Sequence, residues 1–78
     1  MKEKGKEAIL SDFGKRLAKY REARNMTQMD VAVVIESYPG YISRMENGKV
    51  EPGLFMILAL AEALDITPNE LIGSRSIK

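Results

Sequence analysis

Apolar residues in this chain recur at intervals of three and four positions, and no stretch alternates strictly between apolar and polar residues. Such spacing collects apolar side chains on one face of an α-helix, whereas a half-buried strand needs strict alternation. The first set, Phe13, Leu17 and Tyr20, predicts a helix over about residues 11–23. The pattern therefore predicts an all-α fold.

Capping residues separate this helix from the next two. Asn25 suits the left-handed conformation that ends a helix, and Thr27 is a good N-cap for a short helix over residues 28–35. After a turn, Pro39 suits the first position of a third helix, because its missing N–H has no partner there to lose. We expect this third helix over about residues 39–46.

Two further helices complete the prediction. Residues 54–64 form a fourth helix, whose inward stripe is expected to hold Leu54, Ile57, Leu60, Ala61 and Leu64. Thr67 followed by Pro68 marks the start of a short fifth helix that ends before Gly73. Five helices are therefore expected.

Composition restricts the classes of function. The 78 residues include no cysteine and no histidine, which removes thiolate metal sites, disulfides and the commonest general base. We therefore predict no enzyme, no metal site and no cofactor. The longest apolar run, residues 54–61, is far shorter than the roughly 20 residues that cross a membrane. With no signal-peptide pattern at its start, the protein is expected to be cytoplasmic and without a membrane partner.

Charge is distributed unevenly along the chain, although the net charge is only +1. Residues 1–25 carry eight basic and four acidic residues, and the rest of the chain is slightly negative. A positive first third can face a polyanion, but a solvated basic segment explains the same charge. The organisation we expect is a charged arm at 1–10, a helical domain at 11–73 and a short tail at 74–78.

Two short helices joined by a turn, the second with a polar outer face, form a helix-turn-helix. Three segments carry a more specific signal: "MTQMDVA", "YISRMENGK" and, after Pro52, "LALAEALDITPNEL". Their order and spacing resemble the Xre or Cro/repressor-type helix-turn-helix family over about residues 13–72. The resemblance implies a compact, lambda-repressor-like domain that binds double-stranded DNA as a transcription regulator, with residues 39–46 as the recognition helix.

A helix in the major groove presents residues at i, i+3, i+4 and i+7 to base edges, which from Gly40 are Gly40, Ser43, Arg44 and Asn47. Arg44 is the long cationic side chain among them, and arginine with guanine is the commonest specific contact. Gln28 begins a helix whose free N–H groups can meet phosphate. The alternatives are a solvated arginine and ordinary capping chemistry at Gln28.

The resemblance assigns roles to five further positions. It implies that Asn47, Gly48 and Lys49 clamp the DNA backbone after the recognition helix, although an ordinary C-cap has the same residues. It also implies an ion pair between Arg21 and Glu46 that ties the first helix to the third. The alternative is two separate surface charges.

The start of the recognition helix lacks polar side chains, because Pro39 and Gly40 stand where many relatives contact bases. Pro39 can make apolar contact with a thymine methyl, and Gly40 lets the backbone approach closely. We therefore expect readout to depend on Arg44, with support from Ser43 and Tyr41.

The turn before this helix departs from the family pattern. Glu36 stands where the family has glycine, and its negative charge argues against close phosphate approach there. Tyr38 stands where the family has a serine or threonine N-cap. Ser37 is therefore expected to cap the helix one residue early, through the N–H of Gly40.

The fourth helix is apolar nearly all round, because beyond its inward stripe it carries Phe55, Met56, Leu58 and Ala59. A homodimer would cover these residues, and helix-turn-helix dimers match palindromic operators with half-sites about one helical turn apart. The alternative is packing against Ile9 and Leu10, or against the fifth helix.

A protein-interaction module on the same fold, such as an antitoxin-like partner, is the alternative function. The low net charge and the pair Pro39-Gly40 favour it, whereas Gln28, Arg44 and Lys49 favour DNA. A steep salt dependence of duplex binding would separate the two.

Overall fold

The first helix, α1, runs over Glu3–Ala23 in the computed structural model, which describes residues 3–73. The predicted start near Ser11 was wrong. The charged segment before it consists mostly of good helix formers, and tertiary contacts extend along it. Lys6 Nζ lies 3.0 Å from Glu51 Oε1, and the backbone of Ser11 packs against Gly48.

Four further helices follow within the described residues: α2 (Gln28–Val34), α3 (Pro39–Glu46), α4 (Leu54–Ala63) and α5 (Pro68–Ile72). No strand occurs between residues 3 and 73, so the predicted all-α, five-helix fold is confirmed. None of these helices is long and apolar enough to cross a lipid bilayer.

Two helices begin with reciprocal capping boxes. The Thr27 hydroxyl accepts from the Asp30 N–H at 3.0 Å, and the Asp30 carboxylate accepts from the Thr27 N–H at 2.8 Å. Thr67 and Glu70 form the same arrangement at the start of α5. Because these bonds use donors that a helix start leaves free, they confirm both predicted N-caps.

Helices α1 to α4 all end in the same kind of turn, with one residue at positive φ just beyond the cap. That residue is Asn25 at 57°, Glu36 at 58°, Gly48 at 69° or Asp65 at 56°. The N–H of the following residue then bonds a carbonyl in the last turn, as Ser37 does with Ala32 at 2.8 Å. The family's glycine at the position of Glu36 is thereby explained, because this turn requires a left-handed backbone.

All five helices contribute to one apolar core, whose buried members are Phe13, Leu17, Val31, Ala32, Ile42, Met45, Leu60, Ala61, Leu64 and Leu71. Arg24 fastens α1 to the end of α4. Its Nε donates to the Leu64 carbonyl at 2.7 Å and its Nη2 to the Asp65 carbonyl at 2.9 Å. A cation at a helix C-terminus also interacts favourably with the helix dipole.

The first two residues of α4, Leu54 and Phe55, lie outside this core. Leu54 was predicted to face inward, and this prediction was wrong, because its side chain is 74% exposed. A Cβ placed on the preceding Gly53 would have no neighbour within 4 Å. The start of α4 is therefore open to solvent at Leu54 and Phe55, and packing against the core begins at Met56 and Ile57.

Gly14 allows α1 to approach the end of α3 closely. A Cβ at this position would overlap the carbonyl oxygen of Glu46 and would lie 2.6 Å from that of Met45. Both neighbours are backbone atoms, which cannot rotate away as a side chain can. The position of α3 against α1 therefore depends on the missing side chain.

We expect Gly14→Ala to lower the free energy of unfolding by about 1–3 kcal/mol, the usual cost of overpacking, although alanine is the better helix former. Urea denaturation followed by circular dichroism measures this change. Gly40→Ala is the matched control, since this glycine also lies inside a helix but an added Cβ would make only ordinary contact with Tyr38 at 3.5 Å, and it should not lower the free energy of unfolding. A stabilised Gly14→Ala variant would show that the two helices can separate easily.

Candidate nucleic-acid interface

Helix α3 turns its polar face outward, because Ile42 and Met45 on its other face are completely buried. The outer face carries the four residues predicted to face bases, which are Gly40, Ser43, Arg44 and Asn47. Gly40, Arg44 and Asn47 are exposed, and Ser43 is half-buried. The fold therefore gathers these residues on one accessible surface.

Two cations on this surface, Arg44 and Lys49, are exposed to solvent. Among the residues that the structure describes, neither Arg44 nor Lys49 lies within salt-bridge distance of a carboxylate. Arg44 instead places its guanidinium carbon 6.0 Å from the ring centroid of Tyr41. Lys49 follows the turn that closes α3, and its side chain is exposed. Both charges are available to a polyanion.

Asn47 is the C-cap of α3, and its side chain is engaged within the helix. The amide Nδ2 donates to the Ser43 carbonyl oxygen at 2.8 Å. This bond orders the exposed asparagine side chain and leaves its side-chain oxygen, Oδ1, as an acceptor.

A salt bridge joins α1 to α3 between Arg21 and Glu46, the pair that the resemblance implied. Arg21 Nε donates to Glu46 Oε2 at 2.6 Å, and its Nη2 donates to Oε1 at 3.1 Å. The two side chains are only 12% and 8% exposed. Arg21 Nη1 also donates to the Met26 carbonyl at 2.9 Å, so the same guanidinium holds the turn between α1 and α2.

The carboxylate of Glu46 also holds the start of α2, because Gln28 Nε2 donates to its Oε1 at 3.0 Å. The residue predicted to contact phosphate is thus attached to the last turn of α3, and its second amide hydrogen makes no further bond to the residues that the structure describes. The pKa of the Arg21 guanidinium is raised above its ordinary value by the hydrogen bond to Glu46. The arginine therefore stays charged throughout the physiological pH range.

The start of α3 differs from the prediction. Tyr38 is the N-cap, and no side chain caps the helix, so the predicted cap by Ser37 was wrong. The N–H of Ser37 belongs to the turn that closes α2, which places Ser37 before the cap position. Pro39 is the first helical residue and is half-buried.

Tyr38 was not among the predicted site residues, yet its side chain is 54% exposed beside the polar face of α3. The ring centroids of Tyr38 and Tyr41 are 6.0 Å apart. An aromatic residue at a position where an N-cap is expected was the sequence signal that could have identified it.

A second exposed surface lies on α4, and we call Leu54, Phe55 and Leu58 the α4 patch. These side chains are 74%, 82% and 47% exposed, whereas Met56 and Ala59 are half-buried. The predicted alternative was that Ile9 and Leu10 cover this helix face, but the three side chains of the α4 patch remain exposed. Those two residues instead line an apolar depression together with Phe13, Ile57 and Ile72.

No group of three or more potential metal ligands lies together within residues 3–73.

A model of the helix-turn-helix family matches residues 17–71, a range that includes both short helices and the core helices around them. The chain belongs to this family. No curated protein sequence matches it significantly.

Solved structures give the same assignment. The restriction-modification controller protein C.AhdI from Aeromonas hydrophila is 39% identical with a TM-score of 0.79, over 82% of this chain and 97% of that one. Two structures of the clp gene regulator ClgR from Corynebacterium glutamicum are 22% identical, also with a TM-score of 0.79, over 82% of this chain and 82% or 68% of theirs, and share the fold. Both neighbours are regulators rather than enzymes. Family and neighbours together support a DNA-binding transcription regulator.

We expect Arg21→Met to lower the free energy of unfolding by about 3–5 kcal/mol, because Glu46 would remain buried without its cation. Urea denaturation at neutral pH measures this loss. The double variant Arg21→Met with Glu46→Leu should recover much of the stability, since neither charge is then buried. A loss below about 1 kcal/mol in the single variant would mean that the pair behaves as an exposed one.

Proposed function

We propose that this regulator binds a palindromic operator as a homodimer, with α3 lying in the major groove of each half-site. The observation that carries the proposal is the exposed face of α3, where Arg44 has no acidic partner among the described residues and Lys49 follows at the helix end. The cytoplasm is the proposed location, since a regulator of bacterial or phage type acts where the chromosome lies. No catalytic role is proposed.

Arg44 is the proposed base reader. Its side chain is long enough to reach a base edge, and arginine can donate two parallel hydrogen bonds to guanine O6 and N7. Ser43 and Tyr41 flank it on the same helix, and Pro39 supplies apolar surface at the helix start. Because Gly40 has no side chain, the helix backbone can come close to the base pairs there.

Phosphate contacts are proposed for residues at the edges of this face. Lys49 supplies a point charge, and Asn47 and Gly48 form the corner that precedes it. Gln28 has a second amide hydrogen at the start of α2, where helical N–H groups also favour anions. Since Glu46 holds Gln28, a phosphate contact there would fix the angle at which α3 enters the groove.

The α4 patch is the proposed dimer contact, with Met56 and Ala59 at its border. A two-fold axis brings identical surfaces together, and residues 54–61 contain no charged residue that would repel its own copy. Covering the 82% exposed Phe55 removes apolar surface from water, which stabilises association. Two copies would then present two α3 helices to two half-sites.

We expect Arg44→Ala to weaken binding to the preferred operator by about 1–3 kcal/mol and to relax discrimination at one base position per half-site. Lys49→Ala should weaken preferred and random duplexes alike, and should lower the slope of log affinity against log salt by about one. Selection from a random duplex library supplies the operator, and fluorescence anisotropy at several salt concentrations measures both variants.

Arg44→Lys is the matched control, because it keeps the charge but loses the planar fork that contacts guanine. It should retain affinity for random duplex while losing specificity. Equal effects of Arg44→Ala and Lys49→Ala on all duplexes would leave specificity to DNA shape. If neither variant changes duplex binding, α3 is not the recognition helix and the protein-partner alternative takes its place.

We expect the protein to sediment as a dimer at micromolar concentration, and Phe55→Glu to dissociate it, because the two-fold axis would bring like charges together. Val33→Glu is the control, since it places the same charge on a 67% exposed apolar residue of α2. This control should remain dimeric. A wild-type protein that sediments as a monomer at micromolar concentration would contradict the α4 patch as a dimer contact of the free protein.

A further inference from the structure

Tyr38 lies along the start of α3 rather than pointing away from it. A Cβ placed on Gly40 would lie 3.5 Å from Tyr38 Cδ2 and 3.6 Å from its Cε2, so the ring packs beside the glycine. The tyrosine side chain thereby covers the surface that a side chain at position 40 would otherwise occupy. Pro39 and Gly40 give the helix start no polar side chain, but the ring of Tyr38 covers this surface.

This ring continues into a row along α3. The ring centroid of Tyr38 is 6.0 Å from that of Tyr41, and the Arg44 guanidinium carbon is 6.0 Å from the Tyr41 centroid. Aromatic pairs and cation–π contacts at these separations are attractive. Arg44 is therefore held at one end of a row whose other end is Tyr38.

Neither helix capping nor packing in the core accounts for an aromatic residue at position 38. The Tyr38 side chain makes no capping hydrogen bond, and it is 54% exposed rather than part of the core. Residues at the N-terminal end of a recognition helix meet base edges first. An exposed ring at that end offers apolar surface, and the apolar group displayed in the major groove is the 5-methyl of thymine.

We propose that Tyr38 is a base-contacting residue whose ring packs on the 5-methyl group of a thymine, close to the guanine contacted by Arg44. The inference rests on the proposed placement of α3 in the major groove. It names a second specificity determinant with a different chemistry, since Arg44 reads hydrogen-bond acceptors and Tyr38 reads a methyl group. Gly40 leaves one face of the ring uncovered, because a Cβ there would contact the ring at 3.5 Å.

The test removes the methyl group from the DNA and the ring from the protein. Each thymine of one operator half-site is replaced in turn by uracil, which lacks only the methyl group. At one position the wild-type affinity should fall about fourfold, the value for one buried methyl-sized group. Tyr38→Phe should keep this discrimination because it keeps the ring. Tyr38→Ala should bind more weakly and discriminate thymine from uracil by less than twofold.

Two results overturn the inference while leaving the proposed function intact. In the first, Tyr38→Ala binds the operator specifically and keeps the full thymine–uracil discrimination at every position. In the second, Tyr38→Phe loses as much affinity as Tyr38→Ala, which assigns the contact to the hydroxyl group. A wild-type protein with no preference for the selected operator over random duplex overturns the proposed function as well. Circular dichroism of both variants verifies that they are folded.

Discussion

The carboxylate of Glu46 is the point at which three helices meet, and the placement of α3 depends on it. It accepts two hydrogen bonds from Arg21 of α1 and one from Gln28 of α2. The backbone carbonyl of the same residue lies against Gly14, so α1 contacts Glu46 through both its side chain and its main chain. Since a recognition helix works only at a defined angle to the rest of the domain, this one residue links folding to DNA readout.

The polar groups of α3 therefore have two separate functions: one holds the helix in the domain and the others face solvent. The C-terminal end of α3 is fixed by the buried Arg21–Glu46 pair, which stabilises the fold little by itself but is costly to break. Its outer face keeps Arg44 and Lys49 without acidic partners among the described residues, so these charges remain free for an external anion. A regulator needs this separation, because a cation already paired within the protein would have to break that pair before binding phosphate or guanine.

Capping by Thr27 and the helix end at Asn25 were predictable from the sequence, because these residues act on their own neighbours, although the predicted cap by Ser37 was wrong. Packing between distant segments was not predictable. The early start of α1 depends on contacts with Gly48 and Glu51, and the exposure of Leu54 depends on where the neighbouring helices end. Periodicity assigns a residue to a face of a helix, but it does not say whether another helix lies opposite. Tyr38 is a different case, because its contact with Gly40 is local and the aromatic residue at an N-cap position was a signal visible in the sequence.

The repeated left-handed turn at the helix ends has a consequence for how far this protein can be stabilised. Asn25 and Asp65 are residue types that tolerate positive φ, but Glu36 adopts it with a longer side chain, at a cost of about 1 kcal/mol that glycine would avoid in part. The domain thus retains backbone strain chiefly at the turn between α2 and α3. Glycine at position 36 gives a route to a more heat-resistant variant that leaves the outer face of α3 unchanged.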